Sequence, residues 1–359
     1  MKTSSVETVL VTGGTGFIAG WCIVELLQRG YAVRTTVRSL SSEKRVREAI
    51  AKSNITGDRL SFFAADLTQD DGWAAAVEGC DYVLHVASPL GGGAPADRNA
   101  LVVPARDGTL RVLRAAIAAG VKRVVMTSAA ATARPPLSSG RMSDETVWSD
   151  PADPQFDEYR VSKILAERAA WEFMRHAARS TEPATATEPA TATKPTTATE
   201  LTTVLPGAVF GPILTPESLS SVRIIQGLLR GQPVAMPRLG FWVTDVRDLA
   251  DLHIRAMVSP AAAGQRFIAA GEFMWMEDMA NVLRSQLGNL ASRVPRRRLP
   301  NFVVKLLLPF MADLRTLAPL IGRQFALTSE KARRVLGFSP RPATMTLVDC
   351  ARSLGHPQP

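Results

Sequence analysis

Tyr159 and Lys163 stand four residues apart in the run YRVSK. Residues at i and i+4 share one face of a helix, so both side chains can project into one site. A free phenol titrates near pH ~10, and an adjacent ammonium favours its ionised form and brings its proton within reach of neutral chemistry. Such a pair can protonate an oxygen on which charge is developing, or take the proton back in reverse. Spacing alone fits an ordinary amphipathic helix equally well, so the surrounding chain must decide. A second chemical feature is VLVTGGTGFIAGW, where Gly13, Gly14, Thr15, Gly16, Phe17 and Ile18 run from a strand into a helix. Glycines there allow a tight turn and let backbone N–H groups approach a pyrophosphate at the helix N-terminus. A dinucleotide is the ligand this turn predicts. At the end of the next strand, where an acidic residue would hold a ribose 2′-hydroxyl, stands Arg38, followed by Lys44. A guanidinium pairs with a 2′-phosphate, which favours NADP over NAD.

The elements that must position these residues alternate in type. TVLVTG, AVRTTVR, LSFFAADL, DYVLHVAS, RVVMTSA and LTTVLPGAVFG read as strands separated by helical patterns. That order predicts an α/β fold, a Rossmann-type doubly wound parallel sheet, and puts the Tyr159 helix directly after the fifth strand. The nucleotide-binding domain is expected over 1–212, with 241–259 returning to it. Residues 213–240 and 260–359 are expected to form a smaller, mostly helical substrate lobe, with further strands in GFWVTDV and QRFIAA. Helices are predicted at 217–230, 246–258, 275–287, 301–321, 328–336 and 343–354. Residues 179–200 contain TEPATA, TEPATA and TKPTTA in tandem. This Pro/Thr/Ala composition has no amphipathic face and predicts a disordered surface insertion.

Bulk composition narrows the function classes. The 359 residues are 46% apolar and 21% charged, as in a soluble globular protein. The net charge of +9 is scattered, its densest cluster being Arg293, Arg296, Arg297 and Arg298, with no aromatic platform beside it, so nucleic acid is not an expected partner. Cys22, Cys80 and Cys350 are far apart and lack paired spacing, and the four histidines lack ligand spacing, so neither disulfides nor a metal are expected. His85 is expected to be buried beside the cofactor strand. The run FVVKLLLPFMADL is interrupted by Lys305 and Pro309 and is too short to span a bilayer. A strand begins too early for a signal peptide, and a cytoplasmic location follows as the expectation.

At this point the residues resemble the extended short-chain dehydrogenase/reductase superfamily. The landmarks are TGGTGFIAG, Asp66–Leu67, HVASP at 85–89, RVVMTS at 123–128, YRVSK at 159–163 and PGAVFGP at 206–212. VRTTVRSL, DVRDLADLHIRAM and SEKARRVLGFSPRP are similar to the dihydroflavonol reductase-like branch, which includes bacterial aldehyde and ketone reductases. The resemblance implies that Tyr159 is the general acid/base and that Lys163 lowers its pKa and binds the nicotinamide ribose. It implies that Asp66 and Leu67 meet the adenine, that Val86, Ala87 and Ser88 line the cofactor, and that Pro206, Gly207 and Val209 approach the nicotinamide. Two positions depart from the pattern. The family's TSS reads Thr127–Ser128–Ala129 here, so the carbonyl-binding hydroxyl is missing; Ser128 is expected to replace it, the alternatives being Thr132, catalysis without that donor, or loss of activity. Arg134 occupies the position of an Asn or Asp that holds a flavonoid hydroxyl, which argues against a flavonoid substrate, and it is expected to face solvent.

The expected activity is NADPH-dependent reduction of an aldehyde or ketone, with apolar substrate walls drawn from GFWVTD and EFMWMEDM. Nucleotide-sugar epimerase or dehydratase, steroid dehydrogenase-like enzyme and non-catalytic NADP-binding module are the alternatives, and a monomer or homodimer is expected.

Overall fold

The computed structural model describes residues 6–89, 99–180, 198–215, 220–307 and 320–355. Most of the expected insertion at 179–200 lies outside the described residues, as do parts of the helices expected at 217–230 and 301–321.

The first strand and helix are β1 (Thr8–Val11) and α1 (Phe17–Gln28), followed by β2 (Ala32–Val37), α2 (Glu43–Ala51), β3 (Leu60–Ala64) and α3 (Trp73–Val77). Then come β4 (Tyr82–His85), α4 (Asn99–Ala118), β5 (Arg123–Thr127), α5 (Glu158–Ser180) and β6 (Glu200–Pro206). Further on, β10 (Arg266–Ala269) joins these strands in one seven-stranded sheet of order β10-β6-β5-β4-β1-β2-β3. The registers from β3 through β6 are parallel. Leu10, Val83, Val124 and Leu201 pair in one row across β1, β4, β5 and β6. All four are buried in one core with Ala76 of α3, Val112 and Leu113 of α4, and Ala166 and Ala170 of α5. Burial on both faces explains why these strands are apolar without alternation. Strand order reverses between β1 and β4, the place where open α/β sheets bind ligands at their carboxyl ends.

The remaining elements are β7 (Ala208–Phe210), α6 (Val222–Leu229), β8 (Ala235–Met236), β9 (Gly240–Asp245), α7 (Val246–Val258), β11 (Phe273–Trp275), α8 (Met276–Leu287), β12 (Arg297–Arg298), α9 (Asn301–Leu307), α10 (Glu330–Leu336) and α11 (Ala343–Gly355). The run LTTVLPGAVFG, expected as one strand, divides at Gly207: β7 leaves for a small sheet of order β11-β9-β7. A Cβ at Gly207 would lie 2.3 Å from the Trp242 carbonyl oxygen, and this close approach requires glycine.

The chain divides into two compact units, Met1–Ser128 with Glu158–Val204 and His253–Arg266, and Ala129–Asp157 with Leu205–Leu252 and Phe267–Pro359. These boundaries differ from a cut at 212, because the segments after β5 and at the end of β6 group with the second unit. In the first unit Arg123 donates to the carbonyl oxygens of Ala256 and Met257, tying the end of α7 to the start of β5. In the second, Arg247 bridges Asp245 and Asp349, and Thr346 of α11 donates to Asp245.

Candidate active site

The turn after β1 is built to be narrow. Gly13 has φ +74°, and a Cβ there would stand 3.0 Å from the Cβ of Ala87. A Cβ on Gly14 would fall 2.4 Å from Thr35 Oγ1. The Gly13 amide donates to Thr36 Oγ1 and the Gly14 amide to the Thr36 carbonyl, both at 2.9 Å. Gly16, the N-cap of α1, offers no side-chain acceptor to the helix N-terminus, where Phe17 and Ile18 begin the first turn. This cradle, which any side chain would fill, suits a phosphate group approaching the backbone.

Opposite it, the end of β4 is fixed by a buried network. The Thr109 hydroxyl donates to the Ala105 carbonyl at 2.8 Å, so it accepts from His85 Nε2, 3.2 Å away. His85 Nδ1 is then the acceptor for the Thr12 hydroxyl at 3.0 Å. Thr12 Oγ1 in turn accepts from the Val86 and Ala87 amides at 3.0 and 2.9 Å. Burial, with Lys163 nearby, pushes the imidazole down to about 3, in keeping with the neutral tautomer this network needs. Val86, Ala87 and Ser88 are half-buried. The His85 expectation from sequence agrees with this placement.

Along the sheet edge, Arg38 is exposed just past β2. Hydrogen bonds from the Thr68 amide and hydroxyl, with Arg38 and Arg111 nearby, hold the Asp66 carboxyl below the usual carboxylate range. Leu67 packs against the core beside Gly108 of α4. Lys44 is exposed on α2, 4.0 Å from Glu48.

Tyr159 and Lys163 occupy the first two turns of α5. Tyr159 is half-buried, whereas Lys163 is only 5% exposed and its ammonium donates to the Thr127 carbonyl at 3.2 Å. Burial pushes this ammonium down to about 8, against the opposing pull of Glu167. Thr127 is itself anchored, its hydroxyl lying 2.7 Å from His253 Nε2. Ser128 follows Thr127 at the end of β5. It is 2% exposed and gives its hydroxyl proton to Glu167 Oε2 at 2.7 Å, so that proton is already committed inside the protein. The Thr132 hydroxyl likewise donates to the Ala129 carbonyl. Glu167, not singled out from sequence, is fully buried and also accepts from Thr203 and Arg266. A signal for it existed: Tyr159, Lys163 and Glu167 follow at i, i+4 and i+8 on one helix face.

In the second unit Pro206 is buried, and the Gly207 amide donates to Ala269 and to Thr244 Oγ1. Val209 is buried in β7. Arg134 corrects the sequence expectation. It is 8% exposed, its guanidinium 4.1 Å from the Phe156 ring centre and 4.8 Å from that of Phe325. A planar, weakly hydrated guanidinium stacks on aromatic faces where an ammonium would stay in water. The Phe325 carbonyl accepts from Trp242 Nε1, and Trp242, Phe273 and Trp275 meet edge to face. Among the described residues there is no cluster fit to hold a metal ion, and no helix long and apolar enough to cross a membrane.

Residues 9–270 match the model of the NAD dependent epimerase/dehydratase family. The chain is 30% identical to a ketoreductase (azaE) of Aspergillus niger, covering 98% of both chains. It is 32% identical to dihydroflavonol 4-reductase of Dianthus caryophyllus over 79% of this chain and 75% of that one. In fold it is similar to yeast methylglyoxal/isovaleraldehyde reductase Gre2, solved with NADPH, at TM-score 0.75 and 24% identity over 97% of this chain and 98% of the other. Alfalfa vestitone reductase gives TM-score 0.71, also at 24% identity, over 96% and 97% of the two chains.

Proposed function

The chain belongs to the NAD dependent epimerase/dehydratase family, in the dihydroflavonol reductase-like branch of the extended short-chain dehydrogenases/reductases, and from that premise we propose that it reduces an aldehyde or ketone to an alcohol with NADPH. The observation that carries the reading is the Lys163 ammonium, buried and tethered to the Thr127 carbonyl, one helical turn from Tyr159.

The glycine cradle fits a dinucleotide. Gly13, Gly14 and Gly16, whose amides donate inside the protein, would leave room for the pyrophosphate, with Thr15, Phe17 and Ile18 beside it at the start of α1, and Arg38 would hold the 2′-phosphate. Asp66 and Leu67 would border the adenine, Val86, Ala87 and Ser88 the cofactor's middle, Lys163 the ribose, and Pro206, Gly207 and Val209 the nicotinamide. Lys44, beside Glu48 on the surface of α2, is assigned to the helix. NADPH supplies the hydride when bound. Tyr159 holds the proton on Oη and delivers it to the substrate oxygen; the Lys163 ammonium stabilises the phenolate left behind. With Ser128 donating to Glu167 and Ala129 lacking a hydroxyl, polarisation of the carbonyl falls to Tyr159. Absence of one preorganised donor raises the barrier by roughly 3 to 4 kcal/mol, so turnover is expected to be slow. The ketoreductase relative and the aromatic cluster around Trp242 support a hydrophobic carbonyl compound as substrate.

The test is NADPH oxidation with a panel of aldehydes, ketones and diketones, repeated with Tyr159→Phe. The variant should lose about 10² to 10⁴ in rate while still binding NADPH. Unchanged turnover would remove Tyr159 as the acid, and NAD retained through purification would favour an epimerase instead.

A further inference from the structure

We propose that Glu167 is a positioning residue for the Tyr159–Lys163 pair: it pins the Thr127–Ser128 segment whose carbonyl receives the Lys163 ammonium, and it supplies the buried negative charge on the same helix face. The catalytic consequence rests on the reductase reading; the positioning itself does not.

The geometry is a closed set of contacts. Glu167 Oε2 accepts from Ser128 Oγ at 2.7 Å, while Oε1 accepts from Thr203 Oγ1 at 2.7 Å and from Arg266 Nε at 2.9 Å. Ser128 is further tied through its amide, which donates to the Val204 carbonyl at 2.8 Å. One residue earlier, the Thr127 carbonyl accepts from Lys163 and the Thr127 hydroxyl meets His253. The end of β5 is therefore clamped from α5 through Glu167 and from α7 through His253. Loss of the Glu167 clamp frees the peptide that directs the ammonium.

Charge acts on Lys163 as well. The groups around Lys163 are Tyr159 and Glu167 on α5 and the neutral His85 on β4; Arg266 of β10 acts through Glu167, and His253 of α7 through Thr127. Glu167 opposes the loss of the Lys163 proton caused by burial. Without its carboxylate, the Arg266 guanidinium loses this partner, and Lys163 deprotonates more readily. Loss of a nearby carboxylate would by itself favour the Tyr159 phenolate, so ionisation that moves to higher pH reports the displaced or neutralised ammonium and not the direct charge.

A spectrophotometric titration reads this directly. The chain has three tyrosines, and burial, with Glu7 nearby, raises the other two, Tyr31 and Tyr82. Subtracting the titration of Tyr159→Phe isolates Tyr159. The full-length protein is compared as wild type, Glu167→Gln, Ser128→Ala and Thr202→Val, each checked for cooperative unfolding. Thr202 bonds the Ala262 carbonyl and serves as a purely structural control. Tyr159 ionisation should move to higher pH in Glu167→Gln, less far in Ser128→Ala, and stay in place in Thr202→Val. With a turned-over carbonyl, kcat of Glu167→Gln should fall about tenfold with the KM for NADPH unchanged. A folded Glu167→Gln titrating like wild type overturns the proposal; if that variant does not fold, an unmoved titration in Ser128→Ala does the same. Wild type inactive on every carbonyl would defeat the reductase reading while leaving the titration outcome to decide Glu167.

Discussion

The polar cluster at the ends of β4 and β5 and the ring cluster of the second unit both bury cations, by different means. Around Lys163 and His85, partners lie 2.7–3.2 Å apart along hydrogen bonds. Around Arg134, the partners are ring faces with centres 4.1–4.8 Å away. Directional bonds fix atoms to tenths of an ångström and tolerate few substitutions, because an orphaned donor carries its whole desolvation cost. Ring faces are broad and accept a shifted or exchanged neighbour at modest cost. Under the proposed function, the first arrangement suits proton transfer at a fixed point, and the second a wall that adapts to its ligand.

Ala129 gives the sharpest way to probe this contrast, since it immediately follows the clamped Thr127–Ser128 segment. Ala129→Ser should restore a carbonyl donor and raise kcat by about 10² to 10³, measured by NADPH oxidation; an unchanged kcat would mean that the missing donor is already replaced. Next in size is a linkage effect. Lys163 is held near 8 in the fold, below the ordinary ~10.4, so between those values the unfolded chain binds more protons and stability rises with pH. Lys163→Met lacks that rise. Relative to the variant, wild type should therefore gain on the order of 3 kcal/mol across the window, read from urea unfolding at neutral and alkaline pH. Thr12→Val removes the acceptor of the Val86 and Ala87 amides and should cost about 1–3 kcal/mol and weaken NADPH binding, checked by unfolding and by nucleotide fluorescence. The smallest effect belongs to the ring cluster: Phe325→Leu should cost about 1 kcal/mol, shift KM among aromatic and aliphatic carbonyls, and leave NADPH affinity unchanged. Equal losses from Thr12→Val and Phe325→Leu would erase the distinction between the two regions.

Local patterns made much of this legible. β1 through β6, α7 and the glycine turn could be read because their signals are contiguous: apolar runs, a helical repeat, glycines between strand and helix. Gly207 was harder, since PGAVFG is as apolar as LTTVL before it and only the approach of Trp242 shows where the strand must break. β11, three residues long, exists through its pairing with β9, a tertiary fact that no short window contains. The Tyr159 and Lys163 spacing stood out, but the destination of the Ser128 proton depends on Glu167, thirty-nine positions away. Burial of Arg134 depends on Phe325, farther still, and an arginine in TARPP carries no local sign of it.

The imidazole at the foot of the nucleotide cradle has one more consequence. Its neutral form is required by threonines on both sides, and it resists protonation in place down to about 3, whereas an unfolded histidine takes up a proton near pH ~6.5. Below that value each step toward acid favours the unfolded chain over the folded one, and the stabilisation disappears as pH falls toward the lower limit. Acid therefore acts on the proposed dinucleotide seat through the folding equilibrium: the turn is lost with the fold around it, and not by graded protonation of the imidazole in place.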